Sequence, residues 1–327
     1  MNFYLYTETA FHHEGDKNYL LKLIDETKKS GAKGIKFQVL IELNEFMSSL
    51  HSSYEEAKNW ILSMDEWREV FAYANKLNLD IVLMPLDIKA FDFVDEFAIK
   101  YIEIHSVSFN DTKLLEKLEE IDIPLIFGIG GRTLLEIDNV ITKYSQKEIV
   151  LMIGFQSFPS DLNDIKLERI KKLQVLYPKC IIGYADHSSY NDEMAITSNE
   201  YAYVLGARIF EKHITADEGI DRIDYQSAVS SEKIKTIIKK VSYLESILNL
   251  NPSDVFDMSD KEIVYRNRQK VPTATRKILT GENISEDMIS FKMINNDNAI
   301  SSHDEVIGKK TLNDIEIDEI FKYEDII

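Results

Sequence analysis

Residues 180–214 read CIIGYADHSSYNDEMAITSNEYAYVLGARIFEKHI, two short apolar runs with one helical pattern between them. The runs, at 180–185 and 208–214, are nearly continuous in apolar, β-branched and aromatic side chains, which is typical of parallel strands buried on both faces. The stretch 192–205 has the mixed polar and apolar spacing of a helix that covers such strands. A strand, a helix and a strand in this order form the unit of parallel α/β folds.

The same alternation covers most of the chain. Apolar runs lie at 3–7, 34–40, 80–86, 101–105, 124–129, 149–155, 180–185 and 208–214, and helical patterns at 17–30, 64–77, 112–120, 132–143, 162–177, 192–205 and 232–248. About eight strand–helix units in roughly 250 residues predict an α/β fold, the parallel (β/α)8 barrel, whose active site lies at the carboxyl ends of the strands. A doubly wound sheet is the alternative, but the first run leads into residues 7–13 (TETAFHH) and not into a glycine-rich turn.

The pattern changes after residue 248. Residues 251–254 (NPSD) are typical of a chain break, residues 257–270 are highly charged, and short strand-like pieces alternate with turns from residue 271 onward. We therefore expect a barrel domain at 1–252, a linker at 253–270 and a small domain at 271–327. The last ~55 residues can bury little core alone, so we expect them to dock on another surface.

The composition limits the classes of partner. The chain has 327 residues, with 38 Lys and Arg against 56 Asp and Glu, and a net charge of −18 at pH 7. Such a charge argues against binding to nucleic acid or to an anionic membrane surface. The single cysteine, Cys180, excludes a disulfide framework. No stretch approaches the ~18 apolar residues that cross a bilayer, and no basic region precedes the first apolar run. We expect a cytoplasmic protein that acts on a small molecule.

Two histidines close neighbouring predicted strands. His187 follows the seventh run and His213 ends the eighth, and their separation of 26 residues (213 − 187) is about one strand–helix repeat. In a barrel both imidazoles would face one cavity, where they could hold a divalent metal ion that polarises a carbonyl group. The alternative is that each histidine only forms hydrogen bonds at the barrel mouth.

Charged and polar side chains at other strand ends extend the candidate site. Glu8 ends the first run and Asp224 lies after the eighth, where a carboxylate could act as general acid or base, bind sugar hydroxyls or complete a metal site. Lys36 and Lys212 lie inside apolar runs, where an unpaired ammonium group is costly, so each indicates either a bound phosphate or a structural ion pair. Gln38 lies two residues after Lys36, on the same face of its strand.

Longer motifs give the sequence a family resemblance. They are Glu8 with residues 13–16 (HEGD), then 31–38 (GAKGIKFQ), 158–160 (FPS), 183–188 (GYADHS) and 205–215 (LGARIFEKHIT). On these motifs the chain resembles the sialic acid synthase family, which includes N-acetylneuraminate, pseudaminic acid and legionaminic acid synthases. Residues 279–284 (LTGENI) and 306–310 (VIGKK) resemble the antifreeze-like (SAF) module of that family. The resemblance implies a (β/α)8 TIM barrel followed by a small C-terminal SAF domain.

The resemblance also implies a reaction and a set of residues. Family members condense phosphoenolpyruvate with an open-chain N-acetylmannosamine-type sugar to give a nonulosonic acid, using Mn2+ or a similar ion such as Mg2+ or Co2+. The implied catalytic residues are Glu8, Asp224, His187 and His213, and the two histidines are the implied metal ligands. The predicted substrate-binding residues are Lys36, Gln38, Ser106, Gln156, Tyr184 and Lys212, with Lys36 on the phosphate. In the family the SAF domain covers the barrel of a partner chain, so a domain-exchanged homodimer is implied.

Departures from the family pattern gather at the phosphate end of the site. Met84 replaces a phosphate-binding hydroxyl, Glu103 replaces a phosphate-binding lysine, and Ala185 replaces a serine. Residues 127–130 (FGIG, with Gly128) replace Leu-Ser-Thr-Gly, and 292–294 (KMI) replace Lys-Arg-Pro, which removes an arginine that reaches the acyl group of the sugar. These changes predict weak phosphate binding. Two other functions are therefore considered beside that of a synthase. The first is aldol cleavage or isomerisation of a related sugar, with Glu8 or Asp224 as acid or base. The second is that of a non-catalytic, sugar-binding paralogue.

Overall fold

Eight parallel strands close into a ring in the computed structural model, which describes residues 3–154, 157, 159–248, 256–294 and 298–327. The strands are β1 (Tyr4–Glu8), β2 (Gly34–Val39), β3 (Asp80–Pro85), β4 (Ile99–Ile104), β5 (Leu125–Gly128), β6 (Ile149–Ile153), β7 (Ile181–Asp186) and β8 (Ile209–His213). Each strand pairs with the next one along the chain, and β8 pairs with β1. The predicted (β/α)8 TIM barrel is confirmed, and the doubly wound alternative is wrong.

Helices connect successive strands. They are α1 (Lys17–Ser30), α2 (Leu43–Phe46), α3 (Tyr54–Ala57), α4 (Met64–Lys76), α5 (Phe93–Glu96), α6 (Thr112–Lys117), α7 (Leu134–Lys143), α8 (Leu162–Ile165), α9 (Arg169–Leu176), α10 (Met194–Leu205) and α11 (Ser231–Leu248). The continuous helix predicted at 162–177 is instead two helices, because Lys166 has a φ of 48°, a left-handed conformation that ends α8.

Side chains of each barrel strand alternate between two environments. Outward-facing residues such as Phe37, Phe127 and Phe210 pack against the helices in the main apolar core. Inward-facing residues fill the barrel near the amino ends of the strands, and this layer comprises Tyr6, Val82, Tyr101, Ile126, Val150, Met152, Ala185 and Ile209. Because the lower barrel is packed solid, a ligand has room only at the carboxyl ends of the strands.

The chain divides into two compact units, residues 1–249 and residues 250–327. The second unit contains α12 (Asp260–Arg266) and an antiparallel pair of strands, β9 (Lys270–Ala274) and β10 (Ile289–Met293). Its small apolar core is built from residues such as Ile278, Ile315 and Phe321. The predicted domain boundary after residue 252 lies outside the described residues, and α12 lies within the segment predicted as a linker. None of the helices in the described ranges has the length and apolar character needed to cross a membrane.

Candidate active site

A cavity of about 260 Å3 lies at the carboxyl ends of the barrel strands. Seven of the eight strands, β2 to β8, contribute side chains or backbone to its wall. Its polar and charged lining residues are Lys36, Gln38, Glu103, His105, Ser106, His187, Glu211, His213 and Asp224. A larger cleft of about 440 Å3 lies between α7 and α9, but no histidine or carboxylate is among its described lining residues. The smaller cavity is therefore the candidate active site.

Three side chains in this cavity form a set of possible metal ligands. His187, Glu211 and His213 place one ligand atom each within 4.8 Å of one another, and all three residues are buried. The two imidazole rings lie 5.0 Å apart between centroids. Glu211 was not among the predicted ligands, although it precedes His213 by two residues. The two-residue period of a strand, which places both side chains on one face, is the signal that identifies it.

Hydrogen bonding and burial prepare the histidines for a metal ion. The Nδ1 atom of His187 lies 3.2 Å from the carbonyl oxygen of Ala185, and since a carbonyl only accepts, Nδ1 carries the proton and Nε2 the lone pair. Burial lowers the pKa of His187 to about 4 and the pKa of His213 well below its ordinary value. Neutral imidazole is the form that binds metals. Two neutral imidazoles and one carboxylate fit a divalent transition-metal ion such as Mn2+.

A buried lysine lies beside this metal-ligand set. The Nζ atom of Lys36 lies 2.6 Å from Glu8, 3.0 Å from Glu103 and 2.6 Å from Glu211, measured to one carboxylate oxygen of each. The hydroxyl of Tyr6 lies 2.7 Å from Glu103 and 3.0 Å from Glu211. The sequence indicated either a bound phosphate or a structural ion pair for Lys36, and the structure shows the ion pair.

Glu103 and Glu211 both contact Lys36, but their pKa values shift in opposite directions. Burial raises the pKa of Glu103 to about 7, although Lys36 acts in the opposite direction. Burial also opposes ionisation of Glu211, but there the attraction of Lys36 and His187, together with hydrogen bonds from Lys36 and Tyr6, holds the pKa below its ordinary value. Glu211 therefore keeps its negative charge next to the two histidines, as a metal ligand requires.

The other predicted site residues lie in the cavity wall or directly behind it. The buried Glu8 is not among the described lining residues, but it contacts Lys36 and Gln38, which are. One carboxylate oxygen of Glu8 accepts hydrogen bonds from the backbone N–H of Ala10 at 2.6 Å and from the amide of Gln38 at 3.3 Å. Asp224 lines the cavity, and its carboxylate has no hydrogen-bond partner among the described residues. Burial raises the pKa of Asp224 to about 6, which suits a group that exchanges protons near neutral pH. Ser106 also lines the cavity.

Two predicted substrate-binding residues, Tyr184 and Lys212, lie behind the cavity wall. Since His187 and His213 face inward, the alternation of a strand turns Tyr184, Asp186 and Lys212 outward. Lys212 forms a fully buried ion pair with Asp186, with 2.8 Å between nitrogen and oxygen, and the Tyr184 hydroxyl lies 3.3 Å from the same carboxylate. Lys212 thus joins β7 to β8 and does not reach the cavity. The predicted residue Gln156 lies outside the described residues.

Comparison with known proteins agrees with this architecture. A family model described as the NeuB family matches residues 23–251. An uncharacterised protein of Methanocaldococcus jannaschii is 28% identical over 99% of this chain and 94% of its own length. The N,N'-diacetyllegionaminic acid synthase of Campylobacter jejuni is 23% identical over 96% of this chain and 97% of its own.

A solved structure shows the same fold over the whole length. The crystal structure of a Chromobacterium violaceum protein assigned as spore coat polysaccharide biosynthesis protein E superposes with a TM-score of 0.86, covers 99% of both chains and is 21% identical in sequence. The family match spans most of the barrel, including both histidines and Glu211. The chain therefore belongs to the NeuB family.

Proposed function

We propose that this chain is a metal-assisted synthase of carbohydrate biosynthesis. It joins a three-carbon enolpyruvyl unit to the aldehyde of an open-chain N-acetylmannosamine-type sugar and so forms a nonulosonic acid. The observation that carries the proposal is the convergence of His187, Glu211, His213 and Asp224 on one cavity, with the buried Glu8 in contact with Lys36 of its wall. The Campylobacter jejuni relative, named for the synthesis of N,N'-diacetyllegionaminic acid, supports the product class.

The chain's own residues divide the work of this reaction. A Mn2+ ion held by His187, Glu211 and His213 would polarise the sugar aldehyde. Lys36 fixes Glu211 in its ionised form, and Gln38, which lines the cavity, offers an N–H donor to sugar hydroxyls. The buried Glu8 contacts both Lys36 and Gln38 and so positions them. Asp224, whose pKa burial raises to about 6, exchanges protons with the reactants and passes one to the aldehyde oxygen as the carbon–carbon bond forms.

The test uses the full chain with Mn2+, N-acetylmannosamine and a three-carbon donor, with phosphoenolpyruvate and pyruvate supplied in separate reactions. Mass spectrometry detects the nonulosonic acid. We expect His187→Ala and His213→Ala to lose both the product and Mn2+ binding, measured by calorimetry. His303→Ala, in the second unit, is the matched control and should behave as the parent. Mn2+ binding that is equal in the parent and both barrel variants would refute the metal assignment.

The same proposal extends to the assembly of the protein. The resemblance of residues 279–284 and 306–310 to an antifreeze-like module supports a SAF domain in the second unit. In this proposal two chains exchange their SAF domains and form a homodimer, which acts in the cytoplasm. Light scattering should then report twice the chain mass of 37.8 kDa. A single chain mass at micromolar concentration would contradict the dimer without affecting the metal site.

A further inference from the structure

We infer that the three-carbon donor of the proposed reaction carries no phosphate group. The donor is an unphosphorylated 2-oxo acid of the pyruvate type, and Glu103 is the residue that sets this specificity. The inference rests on the proposed function and concerns only its second substrate. It makes the reaction a reversible aldol addition.

The charge of the cavity disfavours a phosphate group. Lys36 is the one lysine or arginine among the described lining residues, whereas Glu103, Glu211 and Asp224 all line the cavity. A phosphate monoester carries roughly −1.5 to −2 charges at neutral pH and is usually held by lysine, arginine or a row of backbone N–H groups. This cavity has a surplus of acids where such a group would need cations.

Lys36 is already surrounded by carboxylates. It donates hydrogen bonds to Glu103 and Glu211, and its ammonium nitrogen also lies 2.6 Å from an oxygen of Glu8, so three buried acids compete with any phosphate for this one cation. All four side chains are buried. A phosphate that approached Lys36 would have to compete with these carboxylates, and an acid that lost Lys36 would be left buried without its cation.

Glu103 is the acid that brings a carboxylate from the far side of the barrel into contact with Lys36. It lies on β4 and reaches Lys36 on β2 across the interior, past β3, while the Tyr6 hydroxyl fixes its second oxygen. The rest of the wall offers few donors to a phosphate. Met84, Gly128, Met152 and Ala185 line it without side-chain N–H or O–H groups, and Ser106 is the one hydroxyl-bearing residue among the described lining residues.

A 2-oxo acid suits this cavity better. It carries a single negative charge, and its adjacent carboxylate and carbonyl oxygens are of the kind that a divalent ion accepts. The step balances without a further reactant. A proton leaves the methyl carbon of the acid for the carboxylate of Asp224, that carbon bonds to the sugar aldehyde carbon, and the aldehyde oxygen takes a proton. No water is consumed and no phosphate is released.

The first experiment measures binding. Calorimetry on the Mn2+-loaded full chain compares pyruvate, phosphoenolpyruvate and inorganic phosphate, and we expect pyruvate to bind at least about tenfold more tightly than phosphoenolpyruvate. Glu103→Gln removes a negative charge from beside Lys36 with little change of shape and should strengthen phosphoenolpyruvate binding about 10- to 100-fold. Glu103→Lys should strengthen it further; if that variant does not fold, Glu103→Gln still tests the residue. Glu232→Gln, at an exposed position on α11, is the matched control.

The second experiment measures turnover in both directions. Pyruvate and N-acetylmannosamine should give a nonulosonic acid, and N-acetylneuraminate should release pyruvate, which lactate dehydrogenase detects. Phosphate release from phosphoenolpyruvate with pyruvate inert would overturn the inference and leave the proposed function standing. Tight phosphoenolpyruvate binding that Glu103→Gln does not change would also overturn it. If the Mn2+-loaded chain bound neither donor nor sugar, both the inference and the proposed function would fail.

Discussion

Asp224 shows how a single residue can combine function with a cost in stability. Its backbone φ of 64° lies in the left-handed region, which Asp and Asn tolerate better than most residues. Its carboxylate lines the cavity without a hydrogen-bond partner among the described residues, and burial raises its pKa from 3.8 to about 6. Between these two values the folded chain holds the proton more tightly than the unfolded chain does, so stability falls as the pH rises.

This linkage gives a prediction for Asp224→Asn. The variant removes a desolvated charge and keeps the backbone preference, so its free energy of unfolding at pH 7.5 should exceed that of the parent. After discounting for the partial exposure of the side chain, we expect about 1–2 kcal/mol. At pH 3.5, below both pKa values, most of the difference should be lost, because the parent carboxyl is then mainly protonated in both states. Urea denaturation at the two pH values measures it, and an equal gain at both would contradict the linkage.

The sequence predicted some site residues for sound physical reasons and could not reach others. His187, His213 and Asp224 follow from their positions at strand ends, where a barrel gathers its functional groups. Tyr184 and Lys212 lie behind the cavity wall, because the two-residue alternation of β7 and β8 turns them away from the side that carries the histidines. The contact between Glu103 and Lys36 was beyond prediction, since it joins non-adjacent strands and depends on how far two side chains reach across the barrel.

At the scale of secondary structure, one buried ion pair joins the two strands that carry the metal-ligand set. Lys212 on β8 binds Asp186 at the end of β7, and the other oxygen of Asp186 accepts a hydrogen bond from the backbone N–H of Ser188 at 2.9 Å. His187 lies between Asp186 and Ser188. Its position therefore depends on the pair, which makes Lys212 a positioning residue.

We expect Lys212→Met to destabilise the chain by about 3–5 kcal/mol, because it leaves the Asp186 carboxylate buried without its cation. Mn2+ affinity should also fall about 10- to 100-fold through the displaced His187. The double variant Lys212→Met/Asp186→Asn should recover part of the stability. Urea denaturation and calorimetry measure the two effects, and a single variant as stable as the parent would contradict the role of the pair.

The first turn of α4 is stabilised by an N-terminal cap whose residues can be recognised in the sequence. The Ser63 side chain accepts a hydrogen bond from the backbone N–H of Glu66, and the Glu66 carboxylate accepts one from the backbone N–H of Ser63, so residues 63–66 (SMDE) form a capping box. We expect Ser63→Ala to lower the free energy of unfolding by about 1 kcal/mol, since a helix N–H loses its acceptor. Ser52→Ala, outside the cap, serves as the control in thermal denaturation. Equal melting temperatures for both variants would show that the cap contributes nothing.

For the molecule as a whole, the barrel was predictable because its strands are buried on both faces and form continuous apolar runs. The break after residue 248 likewise indicated a second unit. The arrangement inside that unit was not predictable, because its pieces pair through isolated bridges, such as Ile278 with Ile315, that no local pattern encodes.

Metal loading should be visible as a global change in stability. At a free Mn2+ concentration about 100 times the dissociation constant, binding to the native barrel adds about 2.7 kcal/mol to its free energy of unfolding. We expect the melting temperature of the parent to rise and to return to its starting value when a chelator is added. His213→Ala should show no such rise under the same conditions. A rise of equal size in that variant would place the metal elsewhere on the chain.

β8 both completes the ring and carries two of the three candidate ligands, since it pairs with β7 on one side and β1 on the other. It is also the last barrel strand to leave the ribosome. The three candidate ligands are therefore present together only after β8 has been synthesised, so metal binding at this site cannot begin earlier. A nascent chain stalled before Ile209 is expected to capture no Mn2+ there.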